Sequence, residues 1–271
     1  AIAFVIGKIC LGLRSDYLAI STLLISGIIV SVIKHEEWLS RGVKNVIGLK
    51  RPAPYEVNLQ NSEWFIKMIE TIRFWGPTTK DIIISSSGIF VKLCFTVIFS
   101  ITLLILLYLS ERAVNSPWGR MMRAIRDNEI AAKAMGKNIV KQQLNIFMIG
   151  SAIIGFAGAM LVTYDGLFTP SSYQPLRYTF LIWVMVLLGG SGNNYGSILG
   201  GFAVWFIWIE SAPIALFLIN SFTFFLDYNN PVKLHLIESV PYFRYLMMGV
   251  GLLLVMRYRP EGLLPEKKIS F

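Results

Sequence analysis

Few side chains in this sequence have the types and spacing that catalysis or metal binding requires. His35 and His235 stand alone, because neither has a second His, Cys or carboxylate at a ligand spacing. Cys10 and Cys94 lie within apolar segments, which is typical of small packing residues rather than of a disulfide. Neither a nucleophile motif nor a phosphate-binding P-loop is present. The sequence therefore predicts no catalytic residue, no metal site and no cofactor, and we expect that the chain is not an enzyme.

The ionisable residues within apolar segments give little support to two other classes of protein. Lys92 and Glu210 lie near the ends of apolar runs, where a long side chain can reach the membrane surface. An ion-coupled secondary transporter would need a carboxylate or histidine inside the membrane. An intramembrane enzyme would need several polar groups at one depth. Neither arrangement is evident in the sequence.

A glycine-rich segment at residues 189–196, GGSGNNYG, separates two apolar runs. It could form a cytoplasmic hairpin between two helices, or a discontinuous helix whose freed backbone groups line a polar path. Both interpretations are open at this point. Small residues also recur every four positions in two apolar runs, which would let a neighbouring helix approach closely: Ser151, Gly155 and Ala159 in one, Gly196 and Gly200 in the other.

A basic segment at residues 116–136, here called the connector, carries the sharpest local signals. Ser116 and Pro117 predict a helix start, with a capping hydroxyl followed by proline at the first helical position. Gly136 predicts the helix stop. Between them we expect one amphipathic helix, with four residues at i, i+3, i+7 and i+10 sharing a face: Met122, Ile125, Glu129 and Ala132.

Two partners could cover such a helix between membrane spans. It could lie on anionic lipid, to which a basic amphipathic helix binds. It could also dock into a groove of another protein. Ala131, Ala132 and Ala134 are poor membrane anchors but allow close approach, so the residues favour a protein partner.

The bulk composition decides the environment of the chain. Hydrophobic residues make up 55% of the sequence, charged residues only 15%, and the mean hydropathy is +0.60. Residues 142–164 contain no charged side chain and are long enough to span a bilayer. We predict an all-α, polytopic transmembrane bundle with about six to eight spans or part-spans: 2–13, 17–33, 88–109, 142–164, 177–188, 197–209, 242–256, and 212–226, which either crosses or lies at the surface.

The net charge of +9 reflects loops rather than a nucleic-acid-binding face. Residues 110–143 carry 7 basic and 3 acidic residues, a net +4, and the tail 257–271 carries 4 and 2, a net +2. If 212–226 does not cross, four spans separate the connector from the tail, and we expect both in the cytoplasm. One span separates the long polar excursion 34–87 from the connector, so we expect the excursion outside, and it contains an amphipathic stretch at 64–74. We assign all of these to a single permease domain, 1–271. Because the sequence begins on an apolar run without Met, we also expect that earlier spans precede it.

The connector sequence SPWGRMMRAIRDNEIAAKAMG resembles the cytoplasmic loop of LivM-type permeases, which are subunits of branched-chain amino-acid ABC importers. Within it, Ala131 and Ala132 followed at four residues by Gly136 are similar to the EAA-type loop with which importer permeases contact their ATPase. Three more segments agree in order: LRSDYLAI at 13–20, LGGSG at 188–192 with Gly196 and Gly200–Gly201, and RPEGL at 259–263.

This resemblance implies a multi-pass permease of the bacterial inner (plasma) membrane, driven by alternating access. Its partners would be a second permease subunit, two cytoplasmic ATP-binding subunits, a periplasmic solute-binding protein and membrane lipid, but no nucleic acid. ATP would be bound by the partner subunits. The implied ATPase-coupling residues are Arg120, Arg123, Glu129, Ala131, Ala132 and Gly136. Those implied for the translocation path or its gate are Gly189, Gly190, Gly192, Asn193 and Gly196.

Two departures from the family pattern bear on the solute. Residues 41–52 replace a glycine-rich segment before an Ile-Pro-Arg-Pro-like stretch, and Tyr178–Phe180 stand where a serine is expected. Leucine, isoleucine or valine is the predicted solute class. Urea or short amides, carried by related permeases, are the alternative, and an ion-coupled secondary transporter is the rival from another class.

Overall fold

The computed structural model describes residues 1–13, 15–42, 44–72, 79–170, 175–224 and 230–266. Several predicted features fall partly outside these ranges: the segment 13–20 at Arg14, the excursion 34–87 at residues 43 and 73–78, the segment 41–52 at residue 43, the amphipathic stretch 64–74 at its end, the apolar stretch 212–226 at its end, and the tail from 267. The described residues are largely helical, which confirms the all-α fold. Their contacts divide into two compact units, 1–173 and 174–271.

The first unit contains nine helices and one two-stranded antiparallel sheet among the described residues. Val46 of the sheet pairs with Phe168. The elements are α1 Ile2–Cys10, α2 Ser15–His35, α3 Glu37–Ser40, β1 Val46–Ile47, α4 Glu56–Gln60, α5 Glu63–Ile72, α6 Lys80–Asn115, α7 Pro117–Asp127, α8 Glu129–Ala134, α9 Ile139–Asp165 and β2 Leu167–Phe168.

The second unit is built from four helices in the part of the chain that the structure describes. They are α10 Pro175–Gly189, α11 Asn194–Phe222, α12 Pro231–Glu238 and α13 Val240–Tyr258. A core of buried side chains joins α10, α11 and α13, with Val184, Val204 and Met248 almost fully enclosed. This core fixes the three helices around the glycine-rich segment.

Five of the described helices are long and apolar enough to cross a membrane: α2, α6, α9, α11 and α13. α10 is a shorter apolar helix, and α1 is a nine-residue apolar helix. The chain is therefore a multi-pass membrane protein, and the predicted six to eight spans or part-spans agree with these seven elements.

The helix bounds correct two predictions. The stretches predicted separately at 197–209 and 212–226 form one helix, α11, with Pro213 inside it. Proline is tolerated within membrane helices because neighbouring groups satisfy the freed carbonyl. α6 begins at Lys80, inside the predicted excursion, because Asp81–Ser87 continue the helix into the apolar run. Four apolar helices follow the connector before the tail: α9, α10, α11 and α13. The cytoplasmic placement of connector and tail stays a prediction.

An aromatic cluster packs the excursion against α6. Phe65 of α5 is fully buried and lies edge-on to Phe90 of α6, with ring centroids 5.5 Å apart. One turn and a half further along α6, Phe95 meets Tyr164 of α9 at 5.2 Å. The amphipathic stretch predicted from residue 64 is thus a helix that buries its apolar face on a membrane span.

Arg51 fixes the excursion to the end of α9. Its side chain is only 6% exposed, and it forms an ion pair with Glu56 at 2.6 Å. Its Nη1 also donates to the backbone oxygen of Tyr164 at 3.3 Å, and its Cζ lies 3.7 Å from the centroid of the Tyr55 ring. One buried cation therefore joins the loop before α4, α4 itself and the last turn of α9.

We predict that Arg51→Ala destabilises this unit by about 2 kcal/mol, the size expected when hydrogen bonds to a charged group are lost. Hydrogen exchange of residues 46–60 and the thermal unfolding midpoint in detergent would measure it. Lys50→Ala is the matched control, because Lys50 is exposed and its loss should leave both readings unchanged. Equal effects of the two variants would contradict the role given to Arg51.

Candidate functional site

The connector forms two helices rather than the single helix predicted from the sequence. α7 ends at Asp127 and α8 begins at Glu129, and the backbone of Asn128 between them is extended, with φ −154° and ψ 97°. The Asn128 side chain accepts a hydrogen bond from the Ala131 N–H at 3.0 Å and so caps α8. This break resets the helical phase, so Glu129 leaves the face predicted for it and is exposed.

The predicted ends of the connector are confirmed. The Ser116 hydroxyl accepts from the Gly119 N–H at 3.3 Å, and Pro117 occupies the first turn of α7. Gly136 adopts φ +76° after α8, in the left-handed region that glycine enters without strain. The helical region of the connector therefore begins and ends where the sequence predicted, although the helix between these points is interrupted.

Two predicted coupling residues bind the end of α6. Arg123 Nη2 donates to the Val114 oxygen at 3.3 Å, and Arg120 Nη1 donates to the Asn115 oxygen at 3.5 Å. These carbonyls belong to the last turn of α6, where cations are stabilised by the helix dipole. A Cβ at Gly119 would lie 2.5 Å from the Ala113 oxygen, so α7 leaves α6 through a tight corner that only glycine permits.

The other side of the connector is fixed to α9. Ile125 of α7, Ala132 of α8 and Ile139 of α9 are buried together. Trp118 Nε1 also donates to Gln142 Oε1 of α9 at 3.3 Å. Ala132, predicted as a docking residue, therefore packs inside the connector, where the residue is only 7% exposed.

The outer surface of the connector presents side chains that sequence reasoning did not select. Ile130 is 84% exposed and Met135 is 80% exposed. Predicted residues Glu129, Ala131 and Gly136 are exposed beside them. A groove of about 420 Å³ lies between α7 and α8, lined on its apolar side by Met121, Ala124, Ala131, Ala132 and Met135. The sequence signal that could have identified this surface is that Ile130 and Met135 do not share the predicted apolar face of the connector.

The glycine-rich segment forms a hairpin between α10 and α11, the first of its two possible interpretations. Asn193 caps α11, because its Oδ1 accepts from the N–H groups of Tyr195 and Gly196 at 3.0 and 3.4 Å. A Cβ at Gly196 would lie 2.7 Å from the Gly189 oxygen, and a Cβ at Gly200 would overlap the Met185 oxygen. The two helices therefore touch backbone to backbone.

The tail binds the carbonyl groups at the end of α10. Leu263 N–H donates to the Leu188 oxygen at 3.0 Å, and Leu264 N–H donates to the Gly189 oxygen at 2.9 Å. Asn193 Nδ2 in turn donates to the Pro265 oxygen at 3.3 Å. A Cβ at Gly192 would lie 2.7 Å from Glu266 Oε2. All five residues predicted for the path or gate thus lie at or beside this junction of hairpin and tail, and their role in transport stays a prediction.

One ionisable residue of the second unit, Glu210, lies deeper than the sequence suggested, and a second, Arg244, was given no role. Because α11 is continuous, Glu210 is not near its end: it stands 16 residues after Asn194 (210 − 194) and 12 before Phe222 (222 − 210). Arg244 lies in α13, within the predicted span 242–256, and sequence reasoning gave it no role. A basic residue inside an apolar span was the signal that could have identified it.

Comparison with known proteins gives a consistent set of relatives. The family described as branched-chain amino acid transport system / permease component matches residues 1–256. The chain is similar to the probable branched-chain amino acid transport permease protein LivM of Methanocaldococcus jannaschii, with 34% identity over 72% of this chain and 53% of the relative. It is also similar to the high-affinity LivM permease proteins of Salmonella typhimurium and Escherichia coli, each 26% identical over 98% of this chain and 54% of the relative.

The chain spans about half the length of these curated relatives. No solved structure matches it.

We predict that Gly200→Ala separates α10 from α11, because the added methyl group would overlap the Met185 oxygen and lie 2.8 Å from the Gly189 nitrogen. Gly201→Ala is the matched control, since nothing lies within 4 Å of a Cβ there and alanine favours a helix by about 1 kcal/mol over glycine. The thermal unfolding midpoint should fall for the first variant and hold or rise for the second. A midpoint for Gly200→Ala as high as that for Gly201→Ala would contradict the close contact.

Proposed function

The chain belongs to the branched-chain amino acid transport system permease component family, and we propose that it forms part of the transmembrane path of an ABC importer for leucine, isoleucine or valine. The observation that carries the proposal is the family match over residues 1–256. The named activity of the LivM relatives supports the solute class. In this proposal the chain works in the inner (plasma) membrane, beside a second permease subunit, and receives solute from a periplasmic binding protein.

In the same proposal, two cytoplasmic ATP-binding subunits drive transport, and the connector is their docking surface. The loop 110–143 carries a net charge of +4 (7 − 3), so it suits a partner with acidic groups around an apolar pocket. Ile130 and Met135 are the exposed apolar side chains that would enter such a pocket. Glu129, Ala131 and Gly136 would complete the contact.

The attachments of the connector support a mechanism for coupling. Arg120, Arg123 and Gly119 hold it to the end of α6, while Trp118 and the buried cluster hold it to α9. Because it is bonded to two spans, a partner that displaces the connector on ATP binding would move both helix ends together. In this mechanism Arg120 and Arg123 do not contact the partner; they transmit the displacement of the connector to the end of α6.

Reconstitution tests the function directly. The full-length protein is co-expressed with its neighbouring permease, ATPase and binding-protein genes and reconstituted into vesicles. Labelled leucine should be transported only when ATP is supplied on the side of the membrane where the ATP-binding subunits lie. Uptake of urea or short amides in place of leucine would support the alternative solute class. Uptake by the permease without ATPase subunits, driven by a proton or sodium gradient, would support a secondary transporter, for which Glu210 in α11 is the intramembrane carboxylate to substitute.

We predict that Ile130→Asp weakens association with the ATP-binding subunits by about thirtyfold, the loss expected when an apolar anchor of an interface is replaced by a charge. Co-purification and binding measured with the solubilised permease would check it. Ile47→Asp is the matched control, because Ile47 is 77% exposed but belongs to the excursion. Unchanged association of the Ile130 variant would show that the exposed surface of α8 is not the docking surface.

A further inference from the structure

Arg244 places a cation against the middle of a membrane-spanning helix. Its guanidinium Cζ lies 5.5 Å from the centroid of the Trp208 ring in α11. Trp208 is 14 residues from each end of that helix (208 − 194 and 222 − 208). Spanning the hydrocarbon takes roughly 20 residues, and every run of that length within the 29 residues of α11 includes Trp208. The guanidinium group therefore lies beside a part of α11 that falls within the apolar span, about one turn after the start of α13 at Val240.

This cation has no anionic partner among the described residues. No described carboxylate forms an ion pair with Arg244, and its buried Nε has no hydrogen-bond acceptor. Arg51 of the same chain, whose side chain is only 6% exposed, pairs with Glu56 at 2.6 Å. An arginine inside a membrane is costly unless it is paired, so a guanidinium without a carboxylate partner among the described residues is suited to bind an anion that is transiently present.

The ring beside Arg244 belongs to a pair of aromatic side chains. Trp208 is 7% exposed, and the Tyr245 ring meets it edge-on with centroids 5.6 Å apart. The face of an indole ring stabilises a guanidinium without neutralising it. Arg244 itself is half-buried, with Nε enclosed and the remainder reaching the surface of the unit. The site thus combines one directional cation with apolar surface, which is the chemistry that recognises a carboxylate next to a hydrocarbon side chain.

We propose that Arg244 binds the carboxylate of the transported amino acid as it passes through the membrane. The inference rests on the proposed function and names a binding residue for it. A guanidinium fits a carboxylate through two parallel hydrogen bonds. The cation–π contact with Trp208 holds the guanidinium in place between solutes, whereas a permanent ion pair would already occupy it. Uncharged solutes such as urea have no use for this cation.

The test uses the complete reconstituted importer, with Arg244→Gln, Arg244→Lys and wild type compared at saturating binding protein. Arg244→Gln should lower the amount of leucine carried per ATP hydrolysed by roughly tenfold to a hundredfold, the loss expected for charge-assisted hydrogen bonds. Arg244→Lys keeps the charge and should recover part of that ratio. Stimulation of ATP hydrolysis by the loaded binding protein should persist in both. Arg257→Gln, which removes an exposed cation from the other end of α13, should match wild type.

Three outcomes would overturn the inference while leaving the proposed function intact. The first is wild-type transport by Arg244→Gln. The second is parallel loss of subunit association, ATP hydrolysis and transport in both Arg244 variants, which would assign Arg244 to helix packing. The third is a defect that follows the anionic-lipid content of the vesicles, which would assign the cation to a lipid phosphate. A wild-type importer without ATP-dependent amino-acid uptake would instead overturn the proposed function, and this inference with it.

Discussion

The unmet carbonyl groups at the ends of membrane helices organise the rest of this structure. Each helix leaves its last carbonyls without intrahelical donors, and lipid offers none in exchange. At the end of α6 the donors are the guanidinium groups of Arg120 and Arg123 and the Ser116 hydroxyl, which bonds the Ala113 oxygen at 2.7 Å. At the end of α10 they are the backbone N–H groups of Leu263 and Leu264. The carbonyl groups that lack intrahelical donors thus bind the connector to the end of α6 and the tail to the end of α10.

Small residues are required where backbones make these close contacts. At Gly119, Gly189 and Gly200 an added methyl group would overlap or crowd a backbone oxygen. The stripe predicted through Gly155 behaves differently: nothing lies within 4 Å of a Cβ at that position, and its neighbours on α9 are largely exposed. The same spacing of small residues therefore marks a helix contact in α11 and an uncovered face in α9 within the described chain. Spacing alone does not distinguish them, because the difference lies in what another element brings alongside.

The sequence predicted well what local chemistry decides. Ser116, Pro117 and Gly136 act as caps within a few residues of themselves, so their roles follow from type and position. Asn128 was not foreseen as a break, because asparagine is compatible with both a helix interior and a cap, and the choice depends on burying Ile125 and Ala132 against Ile139. That break is why Ala132 turned inward and Ile130 outward. Pro213 led to the prediction of two separate stretches, whereas α11 continues through this proline and Glu210 lies in the interior of the helix.

Arg51 and Arg244 show how ion pairing distinguishes a cation with a structural role from one that can bind a ligand. Arg51 holds Glu56, the Tyr164 oxygen and the Tyr55 ring at once, so its charge is balanced and the joint it makes is permanent. Among the described residues, the contact shown for Arg244 is the aromatic face of Trp208, which lowers the cost of its charge without cancelling it. A fixed carboxylate would make that site more stable and also closed to a passing anion. A path that must bind and release a charged solute needs the less stable arrangement. A fixed carboxylate would keep the solute out, and a tightly bound solute would not be released.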